Sequence, residues 1–373
     1  MASDSTRLAE VEAVLTEFKD PETGRSIIQQ EQVDAVHLDG DRLSLTLALT
    51  THSAPIWEET RQAVAVLLKE RIADLRTIDI ALAVHERPPV KLGQVGLTAK
   101  SVIIVGSGKG GVGKSTIAAS LAIGLNNAGC RVGLMDADVY GPSIPHLLGA
   151  TGRPEVTEKQ TGTDEAGQPI VARSIAPIET GGIKIISIGF LVPADKAVIW
   201  RGPMLHGSIT SFLRDTDWGP LDYLIIDMPP GTGDVALTLS QSLPPTGAVI
   251  VCTPQDVAIL DAVKAINMFR EVRIPILGLV ENMSYFLCPD NGKRYEIFGT
   301  GGAKKKAEEM EIPFLGEVPI NIQIRINGDR GATSANFEDP ASAEPLEAIC
   351  SRLVKNLALK HMQEPPLPSL SVL

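Results

Sequence analysis

The sequence contains few aromatic residues and no surplus of positive charge. Phe, Trp and Tyr make up 4% of the 373 residues, and the formal net charge is −11 at pH 7. Few rings are therefore available to stack on single-stranded bases, and a negative surface repels phosphate backbones. This composition argues against nucleic acid as a partner.

The sequence also shows no pattern typical of a targeting or anchoring segment. Residues 1–7 do not show a positively charged stretch followed by an apolar one, as a secretory signal would. No apolar run reaches the roughly eighteen residues that a membrane span needs. Cysteines are few and scattered, so no disulfide framework is indicated; they are Cys130, Cys252, Cys288 and Cys350. We therefore expect a cytoplasmic protein without a membrane partner.

The length predicts two domains, and the residue pattern changes along the chain accordingly. Residues 1–85 read as a small α+β domain, and the proline-rich, polar residues 86–99 as a linker. Residues 100–362 form the second domain, and residues 363–373 a flexible tail. In the first domain we predict two helices and three strands: Leu8–Phe18, Val33–His37, Arg42–Leu49, Trp57–Ile72 and Thr77–Val84.

In the second domain, short apolar runs alternate with helical segments. Such strands are buried on both faces, which predicts an α/β fold with a mostly parallel sheet covered by helices. A last helix is expected from Leu346 to about His361. The predicted strands are Val102–Val105, Val132–Met135, Ile183–Ile188, Tyr223–Ile226, Ala248–Val251 and Ile276–Val280.

A glycine-rich segment follows the strand Val102–Val105 and precedes a helix. Glycines allow consecutive backbone N–H groups to converge on phosphate oxygens, and the helix N-terminus adds its positive dipole end. In this P-loop pattern, Lys114 reaches the β- and γ-phosphates and the Ser115 hydroxyl ligates Mg²⁺. The expected nucleotide-binding residues are Gly108, Lys109, Gly110, Gly111, Val112, Gly113, Lys114, Ser115 and Thr116.

The same glycine-rich residues also allow a second interpretation, a dinucleotide-binding turn. Residues 106–111 also fit the dinucleotide fingerprint, with Asp136 as the acid that binds a ribose. However, the loop continues into Gly113-Lys114-Ser115, which a dinucleotide turn does not need. Asp227 also ends another apolar strand, as expected of a carboxylate that helps to hold Mg²⁺. These features favour a nucleoside triphosphate, and the absence of an Asn-Lys-x-Asp guanine motif after the late strands favours ATP.

The segment Gly-Lys-Gly-Gly-Val-Gly-Lys-Ser-Thr resembles the deviant Walker A motif of the MinD, ParA and nitrogenase iron-protein superfamily. The resemblance implies an ATP-dependent homodimer in which Lys109 reaches the phosphates of the partner subunit. A lysine donated in this way neutralises transition-state charge only after dimerisation, as an arginine finger does.

The same resemblance assigns roles to three further residues. It implies that Asp138 orients the attacking water and that Asp136 binds in the outer coordination shell of magnesium. It also implies that Asn282 recognises the edge of the adenine base. The expected catalytic residues are therefore Lys109, Lys114, Asp136 and Asp138. Either aspartate could instead cap a helix near Pro142, and Asn282 could be a turn-forming asparagine.

Further motifs are similar to those of the Mrp/ApbC family, whose members are ATPases that carry iron–sulfur clusters. This implies transfer of clusters to apoproteins, or work with assembly scaffold proteins. The first domain resembles, at Asp20-Pro21-Glu22 and residues 49–55, a small module of iron–sulfur assembly systems. The later motifs are residues 136–143, 200–204, 227–234, 281–285 and 316–319.

One departure from the family pattern concerns the cluster itself. The family has a Cys-x-x-Cys pair, which implies a [4Fe–4S] cluster shared across the dimer, but here the pair reads Cys288-Pro289-Asp290-Asn291. Cys288 is thus a candidate cluster ligand or simply a packing cysteine. The alternatives are an ATPase that serves iron–sulfur biogenesis or delivers another cargo without holding a cluster, and a MinD-like nucleotide switch.

Overall fold

We analysed a computed structural model of the chain, which describes residues 4–163, 169–191, 202–231 and 233–363. The described residues form two compact units. The first combines Met1–Pro88 with Ala128–Cys130 and Ser351–Leu373, and the second combines Pro89–Asn127 with Arg131–Cys350. The last helix therefore contributes residues to both units.

The first unit is a three-stranded sheet covered by helices. Its sheet has the order β1-β2-β3, with β1 antiparallel and β3 parallel to β2. The core is formed by side chains such as Leu15, Leu43, Leu47 and Leu68, which are fully buried. All five predicted elements are present; their bounds are α1 (Asp4–Glu17), β1 (Val33–Asp39), β2 (Arg42–Leu49), α2 (Trp57–Arg71) and β3 (Thr77–Val84).

The second unit alternates strands and helices. Its strands are β4 (Lys91–Leu92), β5 (Leu97–Gly106), β6 (Val132–Asp136), β7 (Val156–Thr163), β8 (Pro169–Ile175), β9 (Ile178–Thr180), β10 (Ile183–Ser187), β11 (Leu221–Asp227), β12 (Gly247–Cys252), β13 (Ile276–Glu281), β14 (Phe286–Leu287), β15 (Arg294–Tyr295) and β16 (Phe314–Glu317). Its helices are α3 (Lys114–Asn127), α4 (Ile144–Leu147), α5 (Gly202–Asp215), α6 (Gly233–Ser242), α7 (Asp256–Glu271), α8 (Gly302–Glu309), α9 (Ile322–Asp329) and the first part of α10 (Pro340–Gln363).

The main sheet confirms the predicted parallel architecture. Within the described residues its order is β16-β13-β12-β5-β11-β6-β10-β9, with β4 pairing beside β5. All neighbours are parallel except β9 and β4, which are antiparallel to β10 and β5. Strands β6, β11 and β12 are buried along their whole length, because helices cover both faces of the sheet.

The central strands end together at one edge of this sheet. Asp227, the last residue of β11, is in register with Asp136 of β6 and with Val105 of β5. The segment after β5, which carries the glycine-rich loop, therefore begins beside both aspartates. In parallel α/β sheets, ligands bind at this carboxyl edge.

Several details differ from the sequence-based expectation. The polar hairpin β7–β8 was not predicted, and α10 begins at Pro340 rather than near Leu346. The stretch 86–99, predicted as a linker, contains β4 and the start of β5. Residues 364–373 of the predicted tail lie outside the described residues, and the three boundaries between the four predicted segments stay predictions. Among the described residues, no helix is both long and apolar enough to span a membrane.

Candidate functional site

The glycine-rich loop follows a path that only glycine permits at some positions. Gly111 and Gly113 have φ angles of 80° and 82°, in the left-handed region that side chains disfavour. A Cβ atom on Gly113 would lie 2.1 Å from Nδ2 of Asn282, and one on Gly108 would lie 2.0 Å from the carbonyl oxygen of Asp261 in α7. The loop is therefore packed tightly between α7 and the end of β13.

Asn282 holds this loop directly. It follows the last residue of β13 and is 7% exposed, and its Nδ2 donates a hydrogen bond of 2.8 Å to the carbonyl oxygen of Val112. Its own backbone N–H donates to Cys252 at the end of β12. The side chain thus fixes the phosphate loop, a contact that neither sequence interpretation of Asn282 had anticipated.

Lys114, the first residue of α3, is buried among acidic side chains. Its Nζ donates to Oδ1 of Asp227 at 2.6 Å and lies 3.5 Å from Oδ2 of Asp138. The ammonium also donates to the neighbouring Ser115 hydroxyl at 3.2 Å. The structure thus brings together four of the predicted site residues around one buried positive charge.

Asp227 is the most deeply buried of these acids. It is 0% exposed, and its Oδ2 has no hydrogen-bond partner among the described residues. Burial raises the pKa of its carboxyl group, and the neighbouring Lys114 ammonium and Ser115 hydroxyl oppose that rise because they stabilise the charged form. A buried carboxylate oxygen that accepts no hydrogen bond from the described part of the chain, next to a serine hydroxyl, offers ligands that suit a hard cation such as Mg²⁺.

Asp136 is engaged within the protein. Its carboxylate accepts hydrogen bonds from the Asp138 N–H at 3.1 Å, the Ile144 N–H at 3.2 Å and the Ser187 hydroxyl at 2.9 Å. Burial, followed by repulsion from Asp227, raises its pKa to about 8. Since Ile144 begins α4, Asp136 caps this helix from a distance, as the helix-capping alternative foresaw; its predicted magnesium role stays a prediction.

Asp138 and Lys109 occupy different positions around the loop. Oδ1 of Asp138 accepts a hydrogen bond from the Gly141 N–H at 3.3 Å, and its other oxygen faces Lys114. Lys109 is partly exposed, and its carbonyl oxygen accepts from the Ser107 hydroxyl at 2.9 Å. No ion pair joins the Lys109 ammonium to any described residue, which leaves this charge available to another molecule.

A cavity of about 370 Å³ adjoins the loop beside Asn282 and Thr116. Part of its wall is formed by the segment that follows β16. The family motif at residues 316–319 includes Val318 and Pro319, but no site role was assigned to them, and Ile320 and Asn321 were missed. The position of this segment was the available signal, because it also leaves the carboxyl edge of the sheet, where ligands bind.

Cys288 lies elsewhere, in the hairpin formed by β14 and β15. Its backbone N–H donates to Lys293, and the Asn291 side chain accepts from the Lys293 N–H at 2.9 Å. Asn291 is therefore a turn residue, with its carbonyl oxygen already engaged. Within the described residues, no three His, Cys, Asp or Glu side chains are grouped so that they could hold a metal ion.

The remaining thiols are poor candidates for ligands. Cys130, Cys252 and Cys350 are buried. Burial is the main cause that raises the pKa of Cys252 and of Cys350 to about 12, so both remain protonated and inert. Cys288, which is only partly buried, is the one accessible thiol of the four.

Comparisons with known proteins agree with this geometry. Residues 98–357 match the family model described as NUBPL iron-transfer P-loop NTPase, and residues 8–80 match a model described as iron–sulfur cluster assembly protein. An iron–sulfur cluster carrier protein of Deinococcus radiodurans is 42% identical over 353 residues, covering 94% of this chain and 96% of the relative. The iron–sulfur cluster transfer protein NUBPL of Dictyostelium discoideum is 46% identical over 282 residues, covering 75% and 83%.

A solved structure is similar as well. The nucleotide-binding protein from Archaeoglobus fulgidus in complex with ADP is 40% identical, with a TM-score of 0.53, covering 64% of this chain and 88% of that chain. The family model covers well over half of the present sequence, and it covers the phosphate loop and the aspartates around Lys114. The chain therefore belongs to the family of NUBPL iron-transfer P-loop NTPases.

Proposed function

We propose that this protein binds and hydrolyses ATP with Mg²⁺ as a homodimer and carries iron–sulfur clusters to apoproteins. The observation that carries the proposal is the buried Lys114 ammonium, placed between Asp227 and Asp138 at the start of α3. A buried charge is costly unless it is paired and hydrogen-bonded; this ammonium is paired with both aspartates and begins the helix that follows the glycine-rich loop.

The loop residues bind the phosphates in this proposal. Lys114 moves from its two aspartates to the β- and γ-phosphates, and the amides of residues 108–116 donate to phosphate oxygens. Ser115 and Asp227 are the ligands that would hold Mg²⁺, which supplies positive charge to the phosphates when bound. The assignment is supported by Oδ2 of Asp227, which is buried and accepts no hydrogen bond from any residue that the structure describes.

Hydrolysis is proposed to require two subunits. Lys109 of one subunit neutralises charge that develops on the nucleotide of the other, and Asp138 orients the attacking water. Support comes from the partly exposed Lys109 side chain, which has no ion pair with a described residue. Since hydrolysis can occur only after the two subunits have closed around the nucleotides, we expect slow turnover that is coupled to a conformational change. Asn282 and the cavity beside it are proposed to receive the adenine.

The cluster is cargo, and the chain offers it only one accessible thiolate. Two subunits contribute two Cys288 sulfurs, whereas a [4Fe–4S] cluster is held by four thiolates. A cluster at this place would need further ligands from the recipient or from small thiols. The residues of the chain alone therefore do not fit a complete four-cysteine site.

A second candidate function follows from that misfit. The protein would act as an ATPase in iron–sulfur biogenesis, or deliver another cargo, without holding a cluster itself. The specific observation in its favour is Asn291, which stands at the second cysteine position and has its side chain engaged in the turn.

Nucleotide use can be tested with the two loop lysines. Lys114→Ala should lose magnesium-dependent ATP binding by about a hundredfold or more, because it removes a charge-assisted contact to phosphate. Lys109→Ala should bind ATP nearly as the parent does but lose hydrolysis, because its charge acts only in the closed dimer. Isothermal titration and phosphate release measure the two effects. Unchanged hydrolysis in Lys109→Ala would contradict the two-subunit mechanism.

Cluster carriage can be tested by iron and sulfide analysis of protein purified without oxygen. The carrier proposal predicts visible absorption and stoichiometric iron that Cys288→Ala removes and Cys130→Ala retains. Asn291→Cys, which restores the Cys-x-x-Cys spacing, should increase iron retention. Colourless parent protein that gains a cluster only in Asn291→Cys would favour the second candidate.

Cellular location and domain limits are part of the same proposal. We place the protein in the cytoplasm; the support is the sequence, in which cysteines are few and scattered. We also propose that residues 1–85 and 100–362 act as the assembly-type module and the ATPase domain, with residues 86–99 between them.

A further inference from the structure

An apolar groove lies in the first unit, between α1 and the edge strand β1. Its volume is about 590 Å³, which is large enough for several side chains of another molecule. The apolar lining comes from both elements and from the loop that precedes β1. The lining residues are Leu8, Leu15, Ile28, Val33 and Val36.

The rim of this groove is uniformly acidic. Glu12, Glu31 and Asp34 line it together with the apolar residues, and no Lys, Arg or His does. All three carboxylates are exposed, and none has an ion-pair partner in the described part of the chain. The rim therefore carries three uncompensated negative charges over an apolar floor.

The backbone beside the groove is also unusual. Strand β1 is an edge strand, since within the described residues it pairs only with β2. Its register shifts between Asp34 and His37, and Ala35 has a φ of 51°. This bulge leaves Val36 37% exposed. Bulges of this kind redirect side chains and interrupt pairing at sheet edges.

We propose that this groove binds an extended segment of a partner protein with alternating apolar and basic residues. Because the bulge interrupts backbone pairing along β1, side-chain contacts with the groove account for the binding. Apolar side chains of the segment enter the floor, and basic side chains beside them reach the carboxylates of the rim. The charge of the rim selects lysine and arginine over acidic residues.

The segment 364–373 of this chain does not match that chemistry. It contains Glu364 and no Lys or Arg, so it offers no positive charge to the rim. An anionic membrane surface is disfavoured for the same reason, because like charges repel.

Fluorescence anisotropy on the full chain tests the proposal. The probe is a fluorescein-labelled peptide of alternating leucine and lysine, compared with one in which glutamate replaces lysine. We expect saturable binding of the lysine peptide that weakens when ionic strength rises from about 50 to about 300 mM, and no saturable binding of the glutamate peptide. Equal binding of both peptides, or saturation by neither, would overturn the proposal.

Matched variants locate the binding surface. Glu12→Lys and Val36→Ser should each raise the dissociation constant by at least about fivefold. Glu70→Lys and Val66→Ser make the same changes at exposed positions of α2 outside the groove and should stay within about twofold. Circular dichroism melting verifies that each variant is folded. If the groove variants and the control variants weaken binding equally, the attraction is non-specific and the groove is not the binding site. Tighter binding after removal of residues 364–373 would also overturn the proposal, because it would show that this segment competes for the groove.

Discussion

At the scale of single residues, three aspartates lie close together beside the phosphate loop. Asp138 and Asp227 contact the buried Lys114 ammonium, and Asp136 is repelled by the neighbouring Asp227. Three ionised carboxylates around one ammonium would leave excess negative charge in a poorly solvated place. This repulsion is reduced when Asp136 keeps a proton, because burial and the nearby Asp227 raise the pKa of Asp136 to about 8.

This proton makes the stability of the nucleotide-free protein depend on pH. The unfolded carboxyl group titrates near 3.8 and the folded one near 8, so between these values the folded state binds the extra proton. The free energy of unfolding should therefore fall as pH rises through that window, by up to about 1.4 kcal/mol per pH unit for this group. Asp136→Asn mimics the protonated side chain and should flatten the slope.

Urea unfolding at about pH 5.5, 6.5 and 7.5 measures how the free energy of unfolding changes with pH. Because the pKa of Asp227 is also raised, part of this pH dependence should remain in Asp136→Asn. Asp290→Asn removes an exposed carboxylate of the same unit and serves as the matched control. An Asp136→Asn slope as steep as that of the control would contradict the assignment of the proton to Asp136.

Residue types at the site were predictable from sequence, but some of their contacts were not. Lys114, Ser115 and Asp227 were expected together because each stands at a fixed place relative to a strand end. The Ser187 hydroxyl that donates to Asp136 could not be foreseen, because β10 becomes a neighbour of β6 only through the strand order. Distant partners of this kind depend on topology, which local patterns do not encode.

At the scale of elements, the phosphate loop is fixed from outside as well as by its own glycines. The Asn282 amide reaches it from the end of β13 and bonds to Val112. The loop is therefore joined to the segment that forms one wall of the adjoining cavity. Its shape depends on this contact, and Gly113 is the position where the two surfaces approach most closely.

Gly113→Ala should consequently destabilise the free protein. The new Cβ would lie 2.1 Å from Nδ2 of Asn282, and the φ of 82° adds strain. We expect a loss of about 2–4 kcal/mol in the free energy of unfolding. Gly110→Ala is the control, because a Cβ there meets no atom within 4 Å. Denaturant unfolding without nucleotide compares them; equal stabilities would show that the loop adapts freely.

Strands that are buried on both faces were predictable, whereas exposed elements were less so. The runs around Val132 and Tyr223 are continuous and apolar, and they became β6 and β11. The β7–β8 hairpin consists largely of polar residues such as Thr157, Glu158 and Arg173, some of which pair across its strands. Such a hairpin has little apolar patterning from which it could be recognised.

At the scale of the whole molecule, the end of the last helix belongs to the first compact unit. From Ser351 onward, α10 is grouped with Met1–Pro88. The Ser351 hydroxyl donates to the Pro55 carbonyl at 3.3 Å, and Lys19 donates to the Met362 carbonyl at 3.0 Å. The His361 ring lies 6.5 Å from that of His52. Sequence periodicity predicted the helix but not this partner.

Removal of this segment should therefore unfold the first unit. A chain that ends at Cys350 loses the buried side chains Leu353, Val354 and Leu357, and deletions of this size cost several kcal/mol. The exposed Lys355–Glu59 pair contributes little by comparison. We expect rapid proteolysis within residues 1–88 and retained ATP binding, whereas a chain that ends at Gln363 should resist proteolysis as the parent does. Equal resistance of both truncations would contradict this view.

The distribution of thiols has a practical consequence for experiments on this protein. Because Cys130, Cys252 and Cys350 are buried and Cys288 is only partly covered, a maleimide dye or spin label should attach at one site without any prior cysteine replacement. Such a label would report on the surroundings of the β14–β15 hairpin in solution. Distances between labels on two copies of the chain would then test the proposed dimer directly, because they become measurable only when two copies associate.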